Sequence, residues 1–178
     1  MTLRRMTLNI LFLSLVLTGL SFLDVTNAQA NQPVSHKPDT LYNVGCTSKK
    51  RPVDFSRLVR KASHRQGVTG RMLATTVYRE SGCDPTVTGQ DGDAGLGQIV
   101  PRVWLKTLIK NGLVRTQGDL YDPWMNLNST AWILSRIQDR VPSGDMHTVF
   151  KRYNGAGKRA SKYAREQVVA YHRVWGDM

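Results

Sequence analysis

The run Thr69-Gly70-Arg71-Met72-Leu73-Ala74-Thr75-Thr76-Val77-Tyr78-Arg79-Glu80-Ser81-Gly82-Cys83-Asp84-Pro85 sets the character of the chain. Thr69 offers a hydroxyl at the head of a stretch in which Met72, Leu73, Thr76 and Val77 recur at helical spacing. That pattern predicts a helix capped by Thr69 and running to about Glu80, with those residues on one face. Glu80 lies four residues after Thr76 and three after Val77, so a carboxylate sits on the apolar stripe. Desolvation disfavours the charged form, and its pKa is expected to rise. A carboxyl still protonated near neutrality can protonate a leaving oxygen, which glycoside cleavage requires. On spacing alone the plainer reading stands beside this one: a helix-end glutamate paired with a nearby arginine.

Outward from this helix the pattern stays helical. Asp54 is placed to cap a helix with Phe55, Leu58, Val59 and Ala62 on its apolar face, closed by Gly67. Residues 81–94, mixing Gly, Pro, Asp and Thr, read as loop. A third helix is expected from near Pro101, with Val103, Trp104, Leu105, Leu108 and Ile109 as its apolar positions and Gly112 as its stop. Asp122-Pro123 is a start signal for a fourth, running to about Val141. Ser143 to Tyr153 reads as a fifth, broken by Asn154-Gly155, and Ser161 to Trp175 as a sixth. No segment alternates with the period of a strand, and no repeat appears. The expected fold class is mostly α.

The first residues carry a different message. Arg4 and Arg5 precede an apolar stretch from Ile10 to Leu23, followed by Ala28-Gln29-Ala30. A basic start, a short apolar region and small residues at a cleavage site predict a signal peptide over 1–30. The run is short for a membrane span, which needs about 20 apolar residues; an uncleaved anchor is the alternative. Residues 31–52, with Pro33, Pro38 and Pro52, read as an N-terminal arm or linker, and 53–178 as the folded domain. Export implies a periplasmic or secreted protein. In such an oxidising compartment the two cysteines, Cys46 and Cys83, form a candidate disulfide.

The chain has 25 Lys and Arg against 13 Asp and Glu, a formal charge of +12. That suits an acidic partner, whether nucleic acid, anionic lipid or wall polymer. The basic residues are scattered, and no arginine-rich tract or zinc spacing supports a nucleic-acid reader. No cluster has metal-ligand spacing, so neither metal nor cofactor is expected.

Beyond Glu80-Ser81-Gly82 come Gly92-Asp93-Ala94-Gly95-Leu96-Gly97-Gln98-Ile99-Val100-Pro101, then Asp122-Pro123-Trp124-Met125-Asn126, then Tyr153-Asn154-Gly155. In this order they resemble the soluble lytic transglycosylase family with the lysozyme-like fold, over roughly residues 54–175. The resemblance implies a helical domain with a catalytic cleft that acts on peptidoglycan glycan strands. It makes Glu80 the sole general acid and then base. It gives Ser81 a hydrogen bond near the reacting sugar or to Glu80. Gln98 would face the cleft and bind glycan, Tyr153 would orient the catalytic carboxyl, and Asn154 would bind an N-acetyl group. Gly95 and Gly97 would let backbone approach the glycan, and Asn126 would be structural. Two positions depart from the family pattern: Gly97 replaces a methionine, which is expected to loosen the cleft floor, and Cys83 replaces an apolar residue, often Phe.

The implied reaction cleaves the β-1,4 bond after N-acetylmuramic acid and closes a 1,6-anhydro ring, assisted by the substrate's acetamido group. A hydrolytic muramidase would instead need a second carboxylate, for which Asp91 and Asp93 lie in the right loop; as plain loop residues both would serve turn formation. A non-catalytic wall-binding assembly protein is the alternative from another class. The resemblance also suggests local wall opening for a secretion, conjugation or phage-entry machine.

Overall fold

The computed structural model describes residues 41–43, 45–141 and 145–176; the predicted signal peptide, the first part of the arm and the start of the fifth predicted helix at Ser143 lie outside them. These residues build six α-helices and no extended strand. They are α1 (Phe55–Gln66), α2 (Gly70–Ser81), α3 (Pro101–Lys110), α4 (Pro123–Gln138), α5 (Met146–Asn154) and α6 (Gly157–Trp175), with a 3-10 turn, Gly118–Tyr121, ahead of α4. The mostly α class and the lysozyme-like helical arrangement expected from the sequence are what the chain adopts. None of these helices is long and apolar enough to cross a membrane.

The helix ends follow local chemistry. Thr69 accepts from the Met72 amide at 3.2 Å, and Asp122 from the Met125 amide at 2.8 Å with Pro123 in the first turn, so both predicted caps form. Gly67 and Gly82 close α1 and α2 in the left-handed conformation. Asp54 departs from expectation: it precedes α1, but its carboxylate pairs with Arg57 and caps nothing. The fifth helix starts later than predicted, because Asp145 accepts from the His147 and Thr148 amides and is the cap. The sixth starts a turn earlier, at Gly157, immediately after the Asn154-Gly155 break. The fourth ends at Gln138, short of Val141.

Helix α2 is the axis of the molecule, packing against α1, α4 and α6. Its buried residues Met72, Leu73, Ala74, Thr75, Thr76 and Val77 meet Phe55 and Val59 of α1, Leu127, Ala131 and Leu134 of α4, and Phe150 of α5 in one core. Each large apolar side chain so removed from water contributes about 1.5–3 kcal/mol. Polar threads tie the helices as well. Gln66 donates to Asn128 Oδ1 at 2.7 Å, joining α1 to α4, and the Trp175 indole donates to Thr75 Oγ1 at 3.0 Å, joining α6 to α2.

The described part of the arm lies against this core. The Tyr42 amide donates to Ser56 Oγ at 2.8 Å, and the Tyr42 ring meets Trp175 edge-on at 6.0 Å. Gly70 permits that approach, since a Cβ there would collide with the Tyr42 ring. Cys46 and Cys83 are joined by a disulfide with their Cα atoms 5.3 Å apart. The bond fastens the arm to the residue that follows the α2 C-cap.

Candidate active site

The loop between α2 and α3 is shaped before it is functional. Ala94 and Ile99 exchange both backbone hydrogen bonds, at 3.0 and 3.1 Å, and close a tight turn over Gly95-Leu96-Gly97-Gln98. Leu96 points into the core and is fully buried. Asn126, buried on α4, holds the turn from beneath. Its Oδ1 accepts from the Gly97 amide at 2.8 Å, and its Nδ2 donates to the carbonyls of Ala94 at 2.9 Å and Leu120 at 2.6 Å. Thr130 Oγ1 donates to the same Oδ1 at 3.2 Å. The structural role expected of Asn126 is therefore a four-point clamp.

This clamp reassigns the turn's glycines. A Cβ at Gly95 would collide with the Leu120 carbonyl, and one at Gly97 with Thr130 Oγ1. The absent side chains make room for α4 and the residues before it, where the sequence had suggested room for glycan. Nor does Gly97 leave the floor loose: Thr130, with the Tyr153 hydroxyl 3.0 Å from where the Cβ would lie, fills the position. Ser81 is drawn into the same framework. Its hydroxyl lies 2.8 Å from the Leu96 carbonyl and 3.2 Å from that of Val77, so it pins the turn to the end of α2 rather than reaching Glu80 or the cleft. Gln98 lines the cleft as expected, yet its amide donates to the Val87 and Gly95 carbonyls at 3.1 and 2.9 Å. Those bonds hold Gln98 at φ 48°, a conformation non-glycine residues rarely adopt.

Glu80 ends up half-buried at a cleft of about 300 Å³ whose walls include Asp91, Asp93, Gln98, Arg102, Tyr153, Asn154 and Arg159. Of the residues singled out in the sequence, Glu80, Gln98, Tyr153 and Asn154 are brought together here; Ser81 is not. Burial pushes the Glu80 carboxyl up to about 7; the hydrogen bond from Tyr163 opposes the rise, the Asp93 charge adds to it and Arg79 offsets part of it. The sequence expectation of a raised carboxyl pKa, with desolvation as its leading cause, matches this environment.

The hydrogen bond that orients the carboxyl comes from a residue the sequence reading did not single out. The Tyr163 hydroxyl, on α6, donates to Glu80 Oε1. Tyr153, expected in that role, donates to the Gly97 carbonyl at 2.8 Å and braces the turn, because α5 delivers its ring against the clamp. Burial above all, and then the Glu80 charge, raises both phenols away from ionisation, so each remains a donor. Gln167, fully buried one turn beyond Tyr163, donates to the Tyr163 oxygen at 2.7 Å. With that oxygen already accepting, the single phenolic proton is directed at Glu80. Tyr163 and Gln167 had a detectable spacing, four apart on a helix, but nothing local said that α6 would lie over α2.

A second carboxyl shares the cleft. Burial, reinforced by the charge of Asp91 and opposed by Arg102, raises the Asp93 pKa, and its Oδ1 is buried without a hydrogen-bond partner. Asn154 ends α5 exposed between this cleft and a neighbouring cavity.

A helical domain with one poised acid over an open, polar, partly cationic cleft defines a lysozyme-like glycan-cleaving architecture. The chain belongs to the transglycosylase SLT domain family, which matches residues 57–172. It is a peptidoglycan-acting protein of the lytic transglycosylase type. No curated relative and no solved structure matches it.

Proposed function

We propose that this protein is a lytic transglycosylase that cleaves the MurNAc-β-1,4-GlcNAc bond and leaves a 1,6-anhydro end. The observation that carries the reading is the Glu80 carboxyl, poised near 7 and held by Tyr163 at the cleft. At neutral pH a large fraction is protonated, as a general acid requires. In the first half-reaction Glu80 gives its proton to the departing glycosidic oxygen while the substrate's acetamido oxygen stabilises the cationic carbon. In the second, ionised Glu80 accepts the proton of the muramyl C6 hydroxyl, whose oxygen closes the ring. The Tyr163 donor steadies the carboxylate between the two steps. The exposed position of Asn154 at the rim, with its amide uncommitted among the described residues, supports a role in binding an acetamido group. Mass spectrometry of muropeptides from purified sacculi tests the proposal: anhydro ends, lighter by one water than reducing ends, are expected.

A hydrolytic reading draws on Asp93, a carboxyl in the same cleft whose Oδ1 is buried without a hydrogen-bond partner. Such an enzyme would release reducing ends, and Asp93→Asn would cost it about a hundredfold or more; the transglycosylase keeps most of its rate in that variant. Wall binding without cleavage would leave sacculi intact in the same assay.

We also infer export to the periplasm or beyond through cleavage after Ala30, with local wall opening for a larger machine as the role. The basic start, short apolar stretch and Ala28-Gln29-Ala30 support the export, and the Cys46–Cys83 disulfide fits an oxidising compartment. N-terminal sequencing of the exported protein should begin at Asn31.

A further inference from the structure

The cleft at Glu80 is one end of a longer path. It shares Asn154 and Arg159 with a cavity of about 260 Å³ lying over Tyr163. That cavity shares Arg79 and Glu166 with a larger one, of about 550 Å³, between the arm, α2 and α6. Tyr78 and Ala170 line the larger groove, together with Val169, which is 56% exposed. On α6, Arg165, Val169 and Arg173 succeed one another at four-residue steps and form its outer stripe. The one acid along this path outside the cleft, Glu166, pairs with Arg79 and Lys162. Among the described residues neither Arg165 nor Arg173 is paired with a carboxylate.

Exposed arginines on either side of an exposed valine suit a ligand that carries carboxylates and small apolar groups together. In stem-bearing glycan the lactyl carboxyl of muramic acid is tied up in the amide to the peptide, so the sugars offer methyl groups but no carboxylate. The peptide stem of peptidoglycan has both, in acidic residues, a terminal carboxylate and alanyl methyls. We propose that the groove between α2 and α6 is a second binding site for this stem, with Arg165 and Arg173 receiving its carboxylates while the muramyl residue that bears it lies in the cleft. The assignment rests on the peptidoglycan reading of the cleft. From Arg159, the α6 residue that lines the cleft, the helix advances about 9 Å to Arg165 and about 21 Å to Arg173 at roughly 1.5 Å per residue. A stem of roughly five residues extends to about 17 Å, so it passes Arg165 directly and meets Arg173 through the length of that arginine's side chain.

The test compares stem-bearing muropeptide oligomers with the same strands stripped of peptide by an amidase, the lactyl carboxylates so freed being capped as amides. Binding is followed by fluorescence anisotropy for the full exported protein and for Arg165→Ala/Arg173→Ala. Both side chains are exposed, so the variant keeps its fold, and Arg165→Lys/Arg173→Lys serves as the charge-conserving control. The unmodified protein is expected to prefer stem-bearing strands about three- to tenfold at low salt, from two exposed charge contacts. That preference disappears in the alanine variant, survives largely in the lysine variant and fades at high salt. In digestion of sacculi the alanine variant raises KM by the same factor and leaves kcat unchanged. Equal affinity of the unmodified protein for both strands overturns the proposal, as does a preference that persists in the alanine variant; in either case the groove serves another partner, such as an acidic protein segment. A stem preference lost in the alanine variant, with sacculi uncut by any form, leaves this site standing and removes the transglycosylase reading. Sacculi cut with no stem preference does the reverse.

Discussion

Asn126 and Glu80 both bring a polar side chain into the helical core, and their surroundings are completed differently. Asn126 has two donors and two acceptor sites, and all four are used, on Gly97, Thr130, Ala94 and Leu120. Glu80 has a hydrogen bond at Oε1, from Tyr163, while around it Asp93 Oδ1 and Gln167 Oε1 are buried without partners. A completed polar cluster rigidifies and specifies a fold. An incomplete one beside a cleft leaves an acceptor such as Asp93 Oδ1 unused at its wall, and burial keeps the neighbouring Glu80 carboxyl near neutrality. The lesson is that burial of a polar group does not by itself mark chemistry; the unused bonding capacity around it does.

The largest expected break in that comparison is Glu80→Gln. The amide keeps the shape and still accepts from Tyr163, but it neither gives nor takes the proton. Muropeptide release should fall by about ten-thousandfold, the upper end for general acid/base groups, since in the proposed mechanism one group serves both steps. Stability moves the other way. The folded-state pKa of about 7 lies above the unfolded value of about 4.3. The penalty for ionising Glu80 in the fold is absent below pH ~4, grows between pH ~4 and ~7 and is constant above. Thermal melts should therefore find Glu80→Gln more stable than the parent at pH 8 and converging with it near pH 4.

Asn126→Leu should do the opposite. It strands the Gly97 amide and the Leu120 carbonyl, each at about 1–3 kcal/mol, and takes from the Ala94 carbonyl one of its two bonds, the Ile99 amide remaining. A loss of about 3–5 kcal/mol in urea unfolding is expected, with activity lost through the turn rather than through proton transfer. A stable, inactive variant would place Asn126 in the chemistry and dissolve the distinction.

The disulfide has a comparable effect on the loop from outside. Cys46→Ala/Cys83→Ala should cost about 3 to 4 kcal/mol, the chain-entropy value for a loop of this length. At a temperature where the variant remains folded, its rate per folded molecule should stay near that of the parent.

The smallest effect is also the most discriminating. Tyr163→Phe removes a donor that stabilises the carboxylate, so the Glu80 pKa should rise further above 7. The alkaline limb of kcat/KM, which follows loss of the acid's proton, should move to higher pH, with the maximal rate down about tenfold. Gln167→Leu should shift that limb in the same direction by less, because Tyr163 keeps its proton but loses the partner that aims it. Unmoved limbs in both variants would reduce the pair to packing.

The sequence contained the local part of this in readable form. The helices follow from spacing, and Thr69, Asp122, Gly67 and Gly82 act where short-range chemistry places them, since a cap involves only residues a few positions apart. Glu80 on the apolar stripe of α2 was enough to anticipate its raised pKa, and the ordered motifs around it were enough to anticipate the family. Asp145 was legible but overlooked: a cap residue three positions before the Thr148 whose amide it receives.

Partnerships between helices were not legible, because helical periodicity says which face is apolar and not which helix will cover it. The role expected of Tyr153 falls to Tyr163, and where α5 and α6 land decided it: Tyr153 against the Gly97 carbonyl, Tyr163 against Glu80. The same holds for Ser81, Gln98 and the turn glycines, whose sequence context suggested substrate and whose bonds go to the Leu96, Val87 and Gly95 carbonyls and to the path of α4. Sequence determined that this chain would be helical and would carry an acid on the apolar stripe at the end of its second helix, since both depend on residues within two turns of each other. Tertiary structure alone decided which donors reach that acid and which polar groups are left for a substrate, since those depend on contacts between residues as far apart as Glu80 and Tyr163.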